Sequence, residues 1–235
     1  DEIDSTNDYL KRTSHQQGDI VIAQAQTKGK GRNGKSFYSP QQKGIYVSFV
    51  LKPDLTIYDS LKITACLAVS LVKAIEKNYP VHPQIKWVND IMIHDFKIAG
   101  ILCEASLEMN TAQIEQMIVG IGINVHSYSM PDYLQNIAAS IEDFCSIKAS
   151  REQLLIDFFN IFYQDYLMLS TLSWLDFYPQ HSYILHQDIT VYENNKAYPA
   201  YVLDINDDAS LKIQSEQGIK NLSSGEISIR KRTSS

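Results

Sequence analysis

Cysteine is scarce in this chain, and its three cysteines follow no metal-binding or disulfide pattern. Cys66, Cys103 and Cys145 are far apart, odd in number and outside any C-x-x-C motif, so we interpret them as buried thiols in a reducing compartment. Long apolar runs are also missing, because no stretch approaches the roughly 20 residues that a membrane-spanning helix needs. No secretory signal is visible. We therefore expect a cytoplasmic protein with no membrane partner.

An excess of positive charge is absent as well, since 27 Asp and Glu outnumber 21 Lys and Arg and give a net charge of −6. An acidic protein is a poor general binder of nucleic acid, so we expect no nucleic-acid partner. The sequence also lacks internal repeats and low-complexity segments. Its 235 residues, 44% of them hydrophobic, suffice for one large domain and a small appended one.

One stretch concentrates glycine and positive charge against this acidic background. Residues 24–40 have the sequence QAQTKGKGRNGKSFYSP, in which three glycines alternate with four cations. Glycine lets the backbone approach a ligand closely, and successive free N–H groups form an anion-binding concavity. The stretch therefore predicts either a site for a phosphate-bearing ligand or a solvated basic surface loop, and composition does not separate the two.

The segment from Gly29 to Ser36 also matches the P-loop pattern G-x-x-x-x-G-K-[ST]. A P-loop opens a helix, whose N-terminus holds the phosphate. Here Pro40 follows shortly after, and the residue before a proline is pushed away from the α region. We interpret the match as a coincidence of composition, and we keep a P-loop NTPase as an alternative function.

Hydrophobic periodicity predicts a mixture of helices and strands. The predicted helices are Ser5 to Thr13, Tyr58 to Lys77 and Arg151 to Leu169. The predicted strands of the main part are 19–26, 44–51, 84–90, 91–94, 97–104 and 114–125. The third and fourth of them meet at a predicted Asn-Asp turn, at residues 89–90. Short strands between polar turns follow, at 188–192, 197–203, 210–213 and 225–230, and they indicate a small antiparallel barrel. We place the domain boundary between residues 185 and 186.

Two features inside the predicted strands point to a ligand site. Lys97 leads an otherwise apolar strand, which is costly unless its ammonium meets a charge, although a lysine at a strand end can also extend to solvent. Gly120 and Gly122 alternate with isoleucines, so they would lie on one face of the sheet and leave a slot above it. A β-bulge is the alternative explanation of the two glycines.

Four groups of residues together resemble the biotin protein ligases. They are Asp4-Ser-Thr-Asn7, Gly29 to Lys35, Lys86 to Asp90 with Lys97 to Leu102, and Gly120 to Asn124, and residues 225–230 resemble the end of the family's C-terminal barrel. The resemblance covers nearly the whole chain. It implies an α+β fold with a mixed sheet flanked by helices, the class II synthetase-like catalytic domain of biotin and lipoate ligases (1–185), and an SH3-like β-barrel (186–235). Because the pattern begins at Asp4, the chain looks like a ligase-only form without an N-terminal DNA-binding domain.

The resemblance implies a two-step reaction. Biotin and ATP would give biotinyl-5′-AMP and diphosphate, and the biotinyl group would pass to one lysine of the biotin carboxyl carrier protein of a biotin-dependent carboxylase. ATP, Mg²⁺ and biotin are the implied cofactors and substrates, and the expected state is a monomer or a homodimer. The nearest alternative is lipoate protein ligase, which shares the architecture and the adenylation chemistry. A non-enzymatic nucleotide-binding module is an alternative of another class.

The resemblance also assigns residues to the site. The biotin-binding residues would be Ser5, Thr6, Asn7, Gln26, Gly29, Lys30, Lys97, Gly100, Gly120 and Gly122. The ATP- or adenylate-binding residues would be Lys30, Gly31, Arg32, Asn33, Gly34, Lys35, Phe37, Asn124 and Arg230. Of these, Phe37 stands where the family often has tryptophan and would pack on adenine, and Asn124 would form a hydrogen bond with adenine. The loop departs from the frequent family pattern GRGRxGR at Lys30 and Lys35, and lysine is not equivalent to arginine at a phosphate.

The implied chemistry needs no side-chain nucleophile, because the carboxylate of biotin attacks the α-phosphorus. Catalysis would then rest on positioning and on stabilisation of phosphate charge. Lys97 is expected to bridge the carboxylate and the α-phosphate, and Arg32 is the second catalytic cation. Lys86 and Asp90 would frame the ATP side, where Asp90 is a candidate Mg²⁺ ligand, directly or through water. The alternative role of Asp90 is that of a base for the carrier lysine.

Overall fold

A six-stranded sheet is the centre of the fold. We identify it in a computed structural model that describes residues 1–148, 150–193, 196–223 and 228–231, with side chains as far as residue 223. In chain order the strands are β1 (Glu2–Ile3), β2 (Ile20–Ala23), β3 (Ala25–Gln26), β4 (Gly44–Leu51), β5 (Gln84–Lys86), β6 (Asp90–Ile93), β7 (Phe96–Leu107), β8 (Ile114–Asn124), β9 (Asp188–Glu193), β10 (Lys196–Ile205), β11 (Leu211–Ser215), β12 (Gly218–Leu222) and β13 (Ser228–Lys231). The helices are α1 (Thr6–Arg12), α2 (Ser60–Asn78) and α3 (Arg151–Leu167).

The large sheet has the strand order β2-β4-β8-β7-β6-β5, and each neighbouring pair in it is antiparallel. The short strands β1 and β3 form a separate parallel pair. The apolar stripe of α2 packs on the sheet beside α3, and α2 ends before Tyr79 and Pro80, as its sequence predicts. The predicted α+β class with flanking helices is confirmed, and the large sheet is antiparallel throughout rather than mixed.

The two faces of the large sheet have different partners. In β4, Ile45, Val47 and Phe49 belong to the main core that includes α2 and α3, whereas Val50 packs with Leu10 of α1. Side chains alternate across a strand, so the even-numbered positions of β4 face α1. All eight residues of β4 are buried because helices cover both faces. The face under α1 carries the candidate site.

Gly120 and Gly122 of β8 lie on this α1 face in regular register. Gly120 pairs with Ser48 of β4, and Gly122 pairs with Gly100 of β7, with no shift in either ladder at these positions. The alternative explanation of the glycines as a β-bulge is therefore wrong. Both positions lack a side chain because other groups occupy the space above them.

Several predicted boundaries differ from the structure. The predicted strand 19–26 is divided into β2 and β3, because β3 leaves the large sheet to pair with β1. Asp90 begins β6, although the sequence predicted a turn there. The helix predicted to end at Leu169 ends at Leu167. Strand β12 was not predicted, because its residues GIKNL carry little apolar pattern.

The C-terminal strands form a five-stranded antiparallel sheet in the order β12-β11-β10-β9-β13. This sheet shares one continuous apolar core with the large sheet, and the indole Nε1 of Trp87 donates to the carbonyl oxygen of Ala209 at 2.8 Å. The small sheet is thus joined to the loop between β5 and β6. No helix among the described residues is long and apolar enough to cross a membrane.

Candidate active site

A pocket opens on the α1 face of the large sheet, between α1, the glycine-rich loop and strands β7 and β8. Its walls combine short polar side chains, cations and glycines, a mixture that suits a ligand with neutral and anionic parts. The lining residues are Ser5, Thr6, Asn7, Gln26, Lys30, Gly31, Arg32, Phe37, Asn89, Lys97, Gly100, Ile101, Leu102, Gly120, Ile121 and Gly122. Most residues that the sequence assigned to the site are therefore brought together.

The polar end of the pocket is built at the start of α1. Ser5 is the N-cap of this helix and accepts from the backbone N–H of Asp8, which places Thr6 and Asn7 in the first turn. The side-chain Oε1 of Gln26 accepts from the backbone N–H of Thr6 at 2.8 Å, and the hydroxyl Oγ1 of Thr6 lies 3.1 Å from the same Oε1 atom. Ser5, Thr6 and Asn7 are each less than 5% exposed, so this polar cluster is fixed in the protein interior.

A carboxylate anchors the same cluster from β7. The Asn7 Nδ2 group donates to Glu104 Oε2 at 2.8 Å, and Glu104 Oε1 accepts from the Lys11 ammonium at 2.5 Å. On the other side, the Asn7 Oδ1 atom lies 2.5 Å from the hydroxyl of Ser48. A β-carbon on Gly120 would lie 2.1 Å from that Oδ1 atom, so the glycine leaves the space that the amide occupies.

The glycine-rich loop folds back on itself as a short hairpin. The N–H of Gly31 donates to the carbonyl of Lys35 at 2.7 Å, and the N–H of Phe37 donates to the carbonyl of Gly29 at 2.8 Å. Its tip is a three-residue 3-10 turn in which Asn33 has φ of 54°. The loop opens no α-helix, so it lacks the helix N-terminus that a P-loop requires.

The loop is tied to the pocket through its cations. Arg32 Nη1 donates to Asn89 Oδ1 at 2.8 Å, and Lys30 Nζ pairs with Asp8 of α1 at 2.5 Å. Burial lowers the pKa of the Arg32 guanidinium, and the nearby charge of Asp90 opposes that shift. A guanidinium partly removed from water would gain more from an anionic ligand than an exposed one.

Lys97 forms an ion pair with a carboxylate, which is what an ammonium at the start of an apolar strand needs. Its Nζ lies 2.6 Å from Asp90 Oδ1, and the same oxygen accepts from Asn89 Nδ2 at 2.9 Å. A β-carbon on Gly100 would lie 2.9 Å from the Lys97 Nζ, so the absence of a side chain at Gly100 leaves room for the ammonium. The side chains of Arg32, Asn89, Asp90 and Lys97 thus form one connected polar group.

Phe37 contributes an aromatic side chain to the wall of the pocket. Its Cε1 atom would lie 2.5 Å from a β-carbon on Gly122, and its ring also packs edge-to-face with Tyr46 at 6.4 Å. The aromatic ring therefore covers one of the two glycines of β8. Any planar ligand group that enters at Gly122 would meet the ring of Phe37 directly.

Some predicted site residues lie outside the pocket lining. Lys86 is the ladder partner of Asp90, so its side chain shares a face of the β5–β6 hairpin with that carboxylate. Asn124 is 5% exposed and donates to the carbonyl of Ala139 at 3.3 Å. The side chain of Arg230 lies outside the described residues. The further predicted residues outside the lining are Gly29, Asn33, Gly34, Lys35 and Asp90.

Sequence reasoning missed three residues of this network. Asn89 bridges Arg32 to Asp90, Glu104 anchors Asn7, and Ser48 joins Asn7 to Thr6. Ser48 did carry a signal, since it is the one small polar side chain in the apolar and aromatic strand GIYVSFVL. Glu104 stood at the end of the predicted strand 97–104, where a charged residue is ordinary, although β7 continues to Leu107, so its sequence context gave no comparable signal.

The carboxylates offer Mg²⁺ little on their own. No group of three His, Cys, Asp or Glu side chains that could hold a metal ion occurs within the described ranges. Asp90 is the carboxylate of the Arg32–Lys97 group, and its Oδ1 already accepts from two donors. Mg²⁺ commonly binds proteins through one or two carboxylates together with substrate phosphates. Asp90 therefore fits a metal that arrives with a phosphate ligand, and it does not form a site by itself.

Comparisons with known proteins agree on the family. A family model described as "Biotin/lipoate A/B protein ligase family" matches residues 1–124. The bifunctional ligase/repressor BirA of Bacillus spizizenii is 30% identical over 94% of this chain and 69% of the relative, and that of Bacillus subtilis is 28% identical with the same coverage. The biotin protein ligase from Aquifex aeolicus in complex with biotin and ATP has a TM-score of 0.86 and 26% identity, over 98% of this chain and 97% of that chain.

Proposed function

The chain belongs to the biotin/lipoate A/B protein ligase family, and we propose on that premise that it is a biotin protein ligase. It activates biotin with ATP to biotinyl-5′-AMP and diphosphate, and it then transfers biotin to a lysine of a biotin carboxyl carrier protein. The Aquifex aeolicus protein reported above is a biotin protein ligase in complex with biotin and ATP, which favours biotin over the lipoate alternative. The P-loop NTPase alternative is wrong, because the glycine-rich loop opens no helix.

The observation that carries this proposal is the chemical division of the pocket. One part presents neutral polar groups on Thr6 and Gln26, and another presents the cations Arg32 and Lys97. Biotin has a neutral cyclic urea at one end and a carboxylate at the other. An adenylate adds a phosphate next to that carboxylate, where positive charge lowers the free energy of the transition state.

We assign biotin to the α1 end of the pocket. Ser5, Thr6, Asn7 and Gln26 would surround the urea ring, and Gly120 supports this placement because it brings the Asn7 amide to the pocket wall. Burial of these groups favours recognition, since a ligand that leaves a buried polar group unpaired is rejected. The apolar side chain of Leu102, which shares the α1 face with its ladder partner Gly120, suits the remainder of biotin.

We assign the reacting atoms to the cationic end. Lys97 would bridge the biotin carboxylate and the α-phosphate, and Arg32 would stabilise the phosphate after the loop closes over it. The Lys97–Asp90 ion pair would hold the ammonium ready before substrate arrives. Such preorganised charge is the largest contribution that a site without a nucleophile can make.

The nucleotide side of the proposal includes Lys86, Asp90, Phe37, Asn124 and Arg230. Lys86 and Asp90 share a face of their hairpin, which supports a joint role beside the phosphates of ATP. Asp90 would hold Mg²⁺ together with the phosphates of ATP, and the metal would supply positive charge to those phosphates. The remaining three would contact the adenosine, as the resemblance implies, with Arg230 supplied by the small C-terminal domain at 186–235.

The test is diphosphate release by the purified chain with ATP and either biotin, lipoate or no acid. We expect release with biotin alone, followed by transfer of labelled biotin to one lysine of an apo carrier domain. Lys73→Ala is a suitable control for site variants, because Lys73 pairs with Asp165 at 2.8 Å and is as exposed as Lys97, 29% against 28%. Release with lipoate, or ATP hydrolysis to ADP without an acid, would contradict the proposal.

A further inference from the structure

A chain of hydrogen bonds runs beneath the α1 end of the pocket, from the surface to its wall. It begins at the Lys11 ammonium, passes through the Glu104 carboxylate and the Asn7 amide, and continues through the Ser48 and Thr6 hydroxyls. Asn7 and Thr6 line the pocket, whereas Glu104 does not. The proposed function leaves the carboxylate without a role.

The donor-to-acceptor direction of these hydrogen bonds follows from the negative charge of Glu104 near their outer end. A carboxylate only accepts hydrogen bonds, so Glu104 takes the NH₂ group of Asn7 and turns Oδ1 towards Ser48. Were the amide reversed, two acceptors would face each other at Glu104. The Asn7 orientation is therefore set by the carboxylate.

The positions of the hydroxyl protons follow from the oxygen–oxygen distances. Three contacts join Ser48 to Asn7, Ser48 to Thr6 and Thr6 to Gln26, at 2.5, 2.6 and 3.1 Å, but the two hydroxyls have only two protons. The two shorter contacts need a proton most, because lone pairs repel strongly at such distances. Ser48 then donates to Asn7, and Thr6 donates to Ser48.

This arrangement leaves acceptors facing the pocket. The proton of Thr6 points away towards Ser48, so the lone pairs of Thr6 Oγ1 and of Gln26 Oε1 lie 3.1 Å apart without a proton between them. A ligand N–H directed at either oxygen would supply the missing donor. A ligand that brings only acceptors would place its lone pairs against those of the two oxygens with no proton between them, at a cost in affinity.

We infer that Glu104 is a positioning residue that sets the hydrogen-bond polarity of the pocket and so selects ligands with N–H donors, such as a cyclic urea. This inference rests on the proposed function, because it explains how that site distinguishes biotin from a ring without N–H groups. Glu104 acts through Asn7, Ser48 and Thr6 rather than by touching the ligand. If the Asn7 amide were reversed, its NH₂ group would donate to Ser48 and Ser48 would donate to Thr6. Thr6 would then donate to Gln26, and the pocket would lose one acceptor.

Glu104→Gln tests the inference, because the new amide can donate or accept and no longer dictates one orientation of Asn7. We expect the KM for biotin to rise about tenfold, the scale of one lost charge-assisted hydrogen bond, with little change in the KM for ATP or in kcat. Glu193→Gln is the matched control. Glu193 also accepts from a lysine and a neutral donor, Lys220 and Tyr198, and is 27% exposed against 29% for Glu104.

A double-mutant cycle with Thr6→Val separates positioning from a structural role. If Glu104 acts through the Thr6 hydroxyl, the double variant has nearly the biotin KM of Thr6→Val alone. If the two effects on biotin KM multiply as independent ones do, the inference is overturned. Should Glu104→Gln fail to fold, Ser48→Ala tests the same hydrogen-bond chain from its middle. Without the Ser48 hydroxyl the Thr6 proton turns towards Gln26, so the same rise in biotin KM is expected, and an unchanged biotin KM would overturn the inference.

The outcomes also separate this inference from the proposed function. A wild-type chain that releases no diphosphate with biotin would overturn both. A wild-type chain active with biotin, together with a Glu104→Gln variant whose biotin KM is unchanged or shifts equally with that for ATP, would overturn the inference alone. A selective rise in biotin KM that Glu193→Gln does not reproduce, with non-additivity in the cycle, supports it.

Discussion

The Lys97 ammonium lies 2.6 Å from Asp90 Oδ1 and occupies the space that a side chain at Gly100 would fill. The two ladder partners Asp90 and Gly100 belong to neighbouring strands, so the ion pair is held on the backbone of the sheet. A cation fixed on rigid strands is preorganised for charge that develops on a phosphate. This relationship makes Lys97 the first residue to test.

Lys97→Ala should fold and lose adenylation. Loss of one preorganised donor typically costs about 3 kcal/mol in the transition state, so diphosphate release should fall by at least about a hundredfold. The measurement is the biotin-dependent rate of diphosphate release, alongside Lys73→Ala, which removes an ion-paired lysine of equal exposure from the α2–α3 contact. A well-folded Lys97→Ala protein with near-wild-type release would show that another cation carries the step.

Arg32→Ala should retain biotin binding and release its adenylate. The side chain joins the loop to Asn89 at 2.8 Å, so its removal frees the loop from the pocket wall as well as deleting a phosphate contact. A closed loop keeps water and foreign nucleophiles from a reactive intermediate. We expect Arg32→Ala to biotinylate lysines of an added bystander protein, which can be followed by avidin blotting.

Lys28→Ala is the control for the loop, because Lys28 is an exposed cation of the same segment outside the pocket lining. It should label the bystander no more than the wild type. If Arg32→Ala labels only the carrier lysine at normal rates, the loop does not retain the adenylate through this residue.

The sequence predicted the elements whose cause is local. The stripe on α2 and the apolar run of β4 determine which surfaces are buried, and both appear at the expected positions. Lys97 could be singled out because an ammonium at the start of a buried strand needs a counter-charge. Its partner could not be identified, because Asp90 was interpreted as part of a turn rather than as the start of β6.

The remainder of the site depends on contacts between distant parts of the chain. Asn7 and Glu104 are 97 positions apart, and they meet only because α1 lies across β4 and β8, beside β7. Phe37 illustrates the same limit, because its aromatic character was evident but its position over Gly122 depends on how the hairpin loop folds back. Strand β12 was missed because its stability comes from pairing with β11 rather than from its own composition.

The contact between α2 and α3 should depend on pH through Asp157. Hydrogen bonds from Lys77, Asn78 and Gln153 lower the pKa of this carboxyl from its ordinary value of 3.8 to about 2. A depressed pKa means that the carboxylate stabilises the folded state above pH 4 and that this contribution is lost as pH falls through about 2. Asp157→Asn should therefore lower the urea midpoint at pH 7.

The difference in urea midpoint between Asp157→Asn and the wild type should narrow as the pH falls from about 4 towards 2. Asp176→Asn is a control on an exposed carboxylate, and its midpoint should stay near the wild-type value at each pH. A gap that is constant across this range would assign the loss in Asp157→Asn to packing rather than to the charge.

Trp87 should couple the small C-terminal sheet to nucleotide use. Its indole is 6% exposed and donates to Ala209, in the turn between β10 and β11 of that sheet, and it lies two residues before Asn89 in the segment that carries Asp90. Trp87→Phe leaves the Ala209 carbonyl without this donor, which should cost about 1–3 kcal/mol of stability. Movement of the segment should also raise the KM for ATP more than the KM for biotin, because biotin is assigned to the α1 end.

Trp174→Phe is the matched control for Trp87→Phe. Trp174 is also buried, at 1% exposure, and its Nε1 donates to the carbonyl of Leu169 at 3.2 Å, away from the pocket. Both variants should lower the thermal midpoint, whereas only Trp87→Phe should change the ATP kinetics. Equal kinetics in the two variants would mean that the small sheet supports the stability of the large one without acting on the site, because the loss of one buried indole hydrogen bond would then explain both proteins.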